Sequence, residues 1–338
     1  MKILITGGAG FIGTHLAKHF SDRGDQIAVL DNLSRKGSEL NLRWLQERIP
    51  ALEFIRGDVR DAKAIADAAQ GREAIFHLAA QVAVTTSVTN PREDFEINAI
   101  GTFNTLEAAR AAKPHPIFIY TSTNKVYGGM EQARVVEDPD RYRLGDLPQG
   151  VAEDWPLDFH SPYGCSKGAG DQYVRDYARI YGLPTVVFRQ SAIYGERQFG
   201  VEDQGWLAHF VISATLGRPI SIYGDGKQVR DMLYVGDLVR AFERAVEKIE
   251  TVRGRVFNIG GGPEFTLTVW SQTGPMLEQL CGHTLPVSYG TWRPGDQKVY
   301  VSDIRKAGRE LEWKPEVGPK EGLARLWKWA QENKGALT

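Results

Sequence analysis

Lys2-Ile-Leu-Ile-Thr6 runs directly into Gly7-Gly-Ala-Gly10-Phe11-Ile12-Gly13, and an apolar helical pattern then continues through Phe20. A β-branched apolar run, a glycine turn and a helix, in that order, predict the opening βα unit of a doubly wound sheet. Glycines 7, 10 and 13 follow a G-x-x-G-x-x-G spacing, which departs from the G-x-G-x-x-G form. The purpose is the same: a turn tight enough for main-chain N–H groups to approach a pyrophosphate at the helix N-terminus. A second strand, Gln26 to Leu30, ends at Asp31, where a carboxylate can accept hydrogen bonds from an adenosine ribose. Together these features point to a dinucleotide. Asp31 repels a 2′-phosphate and accepts from a free 2′-hydroxyl, which favours NAD over NADP. Arg35 and Lys36 follow in the next loop, either as solvated charges or as a pair able to meet a phosphate.

The alternation continues outward from this unit. Leu52 to Arg56, Ala74 to Leu78 and Ile117 to Tyr120 read as strands. Asp61 to Gln70 and Pro91 to Ala112 read as helices, the second with proline in its first turn. The expectation is an α/β fold, a Rossmann-type doubly wound parallel sheet with ligands beyond the C-terminal ends of its strands. Asp31, Asp58, Ala80 and Thr121-Ser-Thr123 all follow such strands. From about Gly205 the alternation loosens, and the chain closes with an amphipathic helix from Lys320 to Gln331. A NAD-binding domain over 1–188 and a smaller α/β, mainly substrate-binding lobe over 189–338 are therefore expected, with discontinuous boundaries. Met130 to Leu157 is dense in Arg, Asp, Glu and Pro and has no steady apolar period. It reads as a long irregular insertion, over about 130–157, either a solvated loop or a lid or subunit contact.

Composition excludes several classes. The 41 basic and 42 acidic residues nearly cancel, so there is no global field for nucleic acid. No apolar run approaches membrane-spanning length, and the first strand begins at residue 2, which leads us to expect a cytoplasmic protein without a signal segment. The two cysteines, Cys165 and Cys281, make neither a disulfide framework nor a zinc spacing, and no metal is expected.

The chemistry is carried by Tyr163-Gly-Cys-Ser-Lys167, which puts a phenol and an ammonium on one helix face. A free tyrosine ionises near 10, and bringing it to about 7 takes roughly 4 kcal/mol of phenolate stabilisation. An ammonium together with a cationic nicotinamide ring supplies a field of the right sign. By itself the pair reads as a packed aromatic with a solvated lysine, and it is the upstream glycine motif that favours chemistry. Downstream, Arg230 and Arg293 each offer a planar fork suited to a diphosphate, or else salt bridges to the neighbouring Asp231 and Asp296.

Thr6-Gly-Gly-Ala-Gly-Phe-Ile-Gly13, Asp58-Val59, His77-Leu-Ala-Ala80, Asn98, Thr121-Ser-Thr-Asn-Lys-Val-Tyr127-Gly and Tyr163-Gly-Cys-Ser-Lys167 resemble the extended short-chain dehydrogenase/reductase family, chiefly its nucleotide-sugar epimerases and dehydratases. The resemblance covers essentially the whole chain. Ser122-Thr-Asn-Lys-Val-Tyr-Gly, Asp158-Phe-His-Ser-Pro-Tyr-Gly-Cys-Ser-Lys-Gly and Gly226-Lys-Gln-Val-Arg-Asp231 resemble its branch of CDP-hexose 2-epimerases.

What the resemblance implies is a redox-neutral isomerase. Thr123, Tyr163 and Lys167 take the three catalytic positions: hydroxyl donor, proton shuttle, and the cation that tunes it and holds the nicotinamide ribose. Thr123 could equally be a turn cap. Around NAD the resemblance places Gly7, Gly10, Phe11, Ile12, Gly13, Asp31, Asn32, Ser34, Arg35, Asp58, Val59, Leu78, Ala79, Ala80, Gln81, Asn98 and Thr121, with Tyr163 and Lys167. Around a CDP-linked nucleotide sugar it places Gln81, Thr85, Thr123, Asn124, Lys125, Tyr163, Gln190, Arg230, Arg293 and Asp296. Dehydratases of this kind carry an acidic pair after the catalytic hydroxyl; here Asn124 and Lys125 stand there. A UDP-sugar 4-epimerase, and an NAD-binding protein without catalysis, remain alternatives. The helices at 91–112 and 162–181 are expected to support a homo-oligomer, dimer or tetramer, as they do in relatives.

Overall fold

Side chains alternate across a strand, so strands that are apolar on both faces need helices on both. In a computed structural model describing residues 1–293 and 296–338, the chain forms β1 (Lys2–Thr6), β2 (Gln26–Asp31), β3 (Glu53–Arg56), β4 (Ala74–His77) and β5 (Ile117–Thr123). It continues through β6 (Val135–Glu137), β7 (Tyr142–Leu144), β8 (Thr185–Gln190), β9 (Ala192–Tyr194), β10 (Ile220–Tyr223), β11 (Val229–Tyr234) and β12 (Arg255–Ile259). Seven of these make one sheet in the order β12-β8-β5-β4-β1-β2-β3, with every pairing parallel. Strand order reverses outward from β1 and β4, and it is at this switch that a doubly wound sheet opens its ligand crevice.

The helices named below are α1 (Phe11–Asp22), α2 (Ser38–Arg48), α3 (Ala62–Ala69), α4 (Val84–Thr89), α5 (Pro91–Phe95), α6 (Gly101–Ala111), α7 (Ser161–Tyr181), α8 (Trp206–Leu216) and α9 (Val235–Glu247). Ile3, Ile5, Phe76 and Phe188 face one layer, made by α1, α2 and α9. Leu4, Ile75, Phe118 and Val187 face the other, made by α3, α6 and α7. Phe242 of α9 stands edge-on to Phe76 and Phe188, with ring centroids 5.3 and 5.1 Å away.

The sheet draws on both sides of the boundary expected at 188: β8 spans it, and α9 and β12 return from the second half. The remainder of that half forms a smaller lobe. There β11 pairs with β9, with Thr266–Thr268 and with Val299–Tyr300, while β10 pairs with Val287–Gly290. Its core joins Phe210 and Val211 of α8 to Leu323, Leu326 and Trp329 of the closing helix, Pro319–Glu332.

Two expectations are corrected. The helix over 91–112 is interrupted by a π turn at Glu96–Ile100 between α5 and α6; the extra residue turns Asn98 inward, where it is buried. The segment 130–157 is not irregular throughout. β6 and β7 pair antiparallel, Val135 opposite Leu144, and Met130, Ala133, Tyr142, Leu144 and Val151 bury a small core with Tyr127 and Tyr300. Lys227 of the smaller lobe donates to Glu137 (2.8 Å), and Tyr142 donates to Asp225 (2.5 Å). The insertion is thus packed onto that lobe.

Candidate active site

At the end of β1 the backbone turns through Gly7, which adopts φ +68°. A Cβ at Gly7 would stand 2.7 Å from the Ala79 nitrogen, and one at Gly13 would stand 2.5 Å from Gly8 Cα. These contacts tolerate no side chain, and they bring the loops after β1 and β4 together. α1 starts at Phe11 with Gly10 as its N-cap and no capping side chain, so its first N–H groups face the cleft unshared. Asp31 closes this end: its Oδ2 accepts from Ala9 N–H (3.0 Å) and its Oδ1 from Leu33 N–H (2.8 Å). Burial raises the Asp31 pKa, opposed by those two N–H groups.

A cleft runs from this turn to the end of β5. It is lined by Gly7, Gly10, Phe11, Ile12, Gly13, Asp31, Asn32, Ser34, Arg35, Asp58, Val59, Leu78, Ala79, Ala80, Thr121, Tyr163, Lys167 and Gln190. Asp58 is held at about 2, chiefly by its hydrogen bonds from Arg60, and Asn32 Nδ2 donates to it as well (2.9 Å). The Gln190 amide nitrogen is buried without a partner among the described residues. A turn that excludes side chains, an uncapped helix start, a buried acid at the end of the second strand and an orphan amide suit a dinucleotide.

Two residues expected at the cofactor do not line the cleft. Asn98 Oδ1 accepts from Gln81 N–H (2.9 Å) and its Nδ2 donates to Gln81 O (3.0 Å). Gln81 folds its own amide onto the Ala83 backbone and Asp94. The pair therefore fixes the loop after β4, because the π turn aims Asn98 there. His77, at the end of β4, completes this support. Thr102 donates to Asn98 O (2.6 Å) and so accepts from His77 Nε2–H (3.1 Å), while Nδ1 accepts from Thr6 (2.8 Å). Burial, then the charge of Lys167, holds His77 down at about 3, so the ring is neutral.

Tyr163 and Lys167 sit in the first two turns of α7. Tyr163 lies close to Thr123, whose Oγ1 accepts from Lys125 N–H (3.2 Å) and donates to Asn124 Oδ1 (3.3 Å). Thr123 thus serves both as the cap of the turn Asn124–Tyr127 and as the neighbour of the phenol.

The chain's own groups do not acidify the tyrosine. Desolvation pushes Tyr163 up to about 12, the Thr123 hydrogen bond opposes it and Asp94 reinforces it. Lys167 is pulled down to about 7 by its own burial, against the attraction of Asp94 and Asp171, and its Nζ lies 4.3 Å from the Tyr120 ring centroid. Burial is the largest cause of both shifts. Asp94 is raised by burial, although Ser166 Oγ (2.5 Å) and Asn98 Nδ2 (3.1 Å) donate to it.

A second cavity lies toward the smaller lobe, lined by Thr85, Lys125, Arg230, Arg293 and Asp296 among others; Gln204 lines both cavities. Arg230 pairs with Asp296 (2.6 Å) rather than Asp231, which instead accepts from Ser191 and Gly262 N–H. Arg293 pairs with Glu202 and Asp203 at 3.3 and 3.4 Å and lies 3.9 Å above the Tyr223 ring. The expected pairing to the neighbouring Asp296 is replaced by contacts from the loop before α8. Thr123 and Asn124 line neither cavity.

Sequence reading missed Arg197, Gln198, Phe199 and Gln204 on the first cavity and His209, Tyr223 and Gln228 on the second. The signal available was the polar, glycine-flanked run Gly195-Glu-Arg-Gln-Phe-Gly200 directly after a strand.

The NAD dependent epimerase/dehydratase family matches residues 3–260. The chain is 44% identical to CDP-paratose 2-epimerase of Salmonella typhi over 97% of its own length and 99% of that protein. The crystal structure of UDP-glucose 4-epimerase with UDP-glucose from Thermotoga maritima aligns with a TM-score of 0.85 at 32% identity, covering 99% of this chain and 100% of that one. dTDP-glucose 4,6-dehydratase from Streptomyces venezuelae, solved with NAD bound, aligns with a TM-score of 0.85 at 31% identity, over 99% of this chain and 98% of that one. A family match over residues 3–260 and 44% identity along nearly the whole chain, on a fold with a glycine turn, a parallel sheet and a tyrosine–lysine helix, leave one conclusion: this protein belongs to the NAD dependent epimerase/dehydratase family, among the extended short-chain dehydrogenases/reductases.

Proposed function

We propose that this chain is an NAD-dependent isomerase that inverts C2 of a CDP-linked hexose, CDP-paratose or a close analogue. The observation that carries this reading is the 44% identity to CDP-paratose 2-epimerase over nearly the full length of both chains. The relatives named as UDP-glucose 4-epimerases lie further off, at 34% and 32%. Asn124 and Lys125 after Thr123 speak against dehydration, because no acid stands beside the donor hydroxyl to drive loss of water.

Gly7, Gly10 and Gly13 would hold the pyrophosphate of NAD, Asp31 its adenosine ribose, and Tyr163 with Lys167 the nicotinamide end. When bound, the dinucleotide supplies a two-electron acceptor and, in the return step, the matching donor. Tyr163 takes the proton of the sugar's 2-hydroxyl as C2 is oxidised to the ketone. The ketone turns its other face, C2 is reduced, and Tyr163 returns the proton, so the reaction is redox-neutral. Thr123 holds the reacting oxygen. A phenol near 12 needs roughly 7 kcal/mol of further phenolate stabilisation to ionise at pH 7. Lys167 and the positive charge of the oxidised nicotinamide are the groups of suitable sign.

The larger, sheet-bearing lobe is the cofactor side, and the smaller lobe with Arg230 and Arg293 is the nucleotide-sugar side. We infer a homo-oligomer as well, because Phe95, Ile100, Phe103, Tyr173, Ile180 and Tyr181 leave an apolar face exposed across α5, α6 and α7. No described helix is long and apolar enough to cross a membrane; with soluble substrates, the cytoplasm is the compartment we propose.

Turnover of CDP-paratose in deuterated solvent, followed by NMR, tests the activity. Product inverted at C2 and free of solvent deuterium at that carbon is expected. Tyr163→Phe should lose about a thousandfold in turnover while retaining NAD. Inversion at C4 of a UDP-hexose, with CDP-sugars untouched, would overturn the reading.

A further inference from the structure

Lys125 differs from the other cations of the second cavity. Arg230 is paired with Asp296 and Arg293 with Glu202 and Asp203. No hydrogen bond or ion pair ties the Lys125 ammonium to any described residue, although its side chain lines the same cavity. Its backbone is fixed: the Lys125 N–H donates to Thr123 Oγ1, Gly128 N–H donates to Lys125 O (3.2 Å), and the next residues, Val126 and Tyr127, are fully buried. Tyr127 in turn donates to Asn258 (2.7 Å). The Lys125 backbone is therefore held two residues from Thr123, the neighbour of Tyr163, while its side chain reaches the second cavity. Thr85 adds a second observation, because its hydroxyl is buried without a partner among the described residues and its side chain lines this same cavity. A cation and a hydroxyl, both unspent, call for an anionic ligand with acceptor oxygens.

The geometry points to the sugar-proximal phosphate of the substrate as that ligand. This deepens the activity proposed above and rests on it. C2 of a hexose is bonded to C1, which carries that phosphate, whereas C4 lies across the ring. An enzyme working at C2 must hold the phosphate close to its hydroxyl donor. One working at C4 must hold it a ring's width further off. Lys125, beside Thr123, is placed for the first arrangement, and Arg230 and Arg293 remain for the rest of the diphosphate. Lys125 is thus a positioning residue: it grips the phosphate next to C1 and so presents C2 to Tyr163. Burial, then the charge of Arg230, pulls its ammonium down to about 8 against the attraction of Asp296, so an arriving phosphate relieves an unfavourable cation.

CMP lacks the sugar-proximal phosphate and CDP has it, which isolates the contact. In NAD-loaded protein, Lys125→Met should weaken CDP binding about tenfold by calorimetry and leave CMP affinity unchanged. Lys125→Arg should restore most of the CDP affinity, which a loss of packing alone would not predict. Equal losses for CMP and CDP, or no loss for either, would overturn the phosphate grip. The CDP/CMP ratio needs no turnover. Wild-type protein that shows this ratio but fails to epimerise CDP-hexoses would overturn the proposed activity and the C2 assignment, so the two failures are distinguishable.

Discussion

Asp94 is buried among Ser166, Asn98 and Gln81, and its charge acts on both partners of the catalytic helix, raising Tyr163 and raising Lys167. Removing that charge has a fixed sign for each. In Asp94→Asn the phenolate no longer meets a neighbouring anion, so Tyr163 ionises at lower pH. The ammonium loses an attractive partner, so Lys167 also deprotonates at lower pH. If the base form of Tyr163 sets the acid limb of kcat and the ammonium of Lys167 the alkaline limb, both limbs move toward acid together. A pH–kcat profile of the variant, measured on NAD-loaded protein, is expected to shift as a whole by roughly half a unit to one unit. A profile that keeps its position, or one in which the limbs move apart, would show that Asp94 acts only through the fold. The pair Tyr163 and Lys167 was legible from its spacing. That burial, rather than the neighbouring charge, dominates both groups was not, because desolvation depends on what the rest of the chain stacks over the helix.

The elements carry their own lesson in α5, α6 and α7. Phe103 stands edge-on to Tyr173, with ring centroids 6.1 Å apart, and both are exposed, 40% and 52%. Ile180 is 66% exposed on the same helix as Tyr173. A monomer has little reason to keep such a stripe in water, and covering it with the same stripe of a second copy removes it from both. Replacing Phe103 and Tyr173 together by glutamate should convert the proposed homo-oligomer to a smaller species by light scattering, with the far-ultraviolet spectrum retained; an unchanged mass would refute this interface. These helices, like the strands before them, could be read from period and caps. The ribbon β6–β7 could not. Three-residue strands carry too little alternation, and the Tyr142–Asp225 and Lys227–Glu137 contacts that hold it come from residues 80 to 90 positions away. The inward turn of Asn98 was hidden for a related reason, since a π turn looks like ordinary helix in sequence.

At the scale of the whole molecule, the two lobes meet along the loop that follows β9. Arg197 donates to Asn41 Oδ1 (2.9 Å) and lies over Trp44 (4.6 Å), both on α2. Arg35 donates to Gln204 (3.2 Å), and Phe199 lies against Gly37. Glu196, at the start of the loop, accepts from Tyr234 through its side chain and pairs with His15 of α1 through its carbonyl. Residues 196 to 204 therefore form a strap across the adenosine side of the first cavity, anchored on the sheet-bearing lobe and running into the start of α8. A redox-neutral enzyme that takes electrons from its substrate and returns them has every reason to hold NAD between turnovers, and this strap is the part of the fold able to retain it. Arg197 is the anchor whose loss should show most clearly, because it makes the hydrogen bond and the stacking contact at once, each worth about 1 kcal/mol. Arg197→Ala is expected to release NAD about tenfold faster or more, read as loss of bound cofactor on gel filtration and as dissociation kinetics. Its kcat under saturating NAD should stay within about threefold of wild type, since Arg197 touches neither Tyr163 nor Lys167. A fall in kcat with NAD retention unchanged would contradict the strap and assign Arg197 to the chemistry instead.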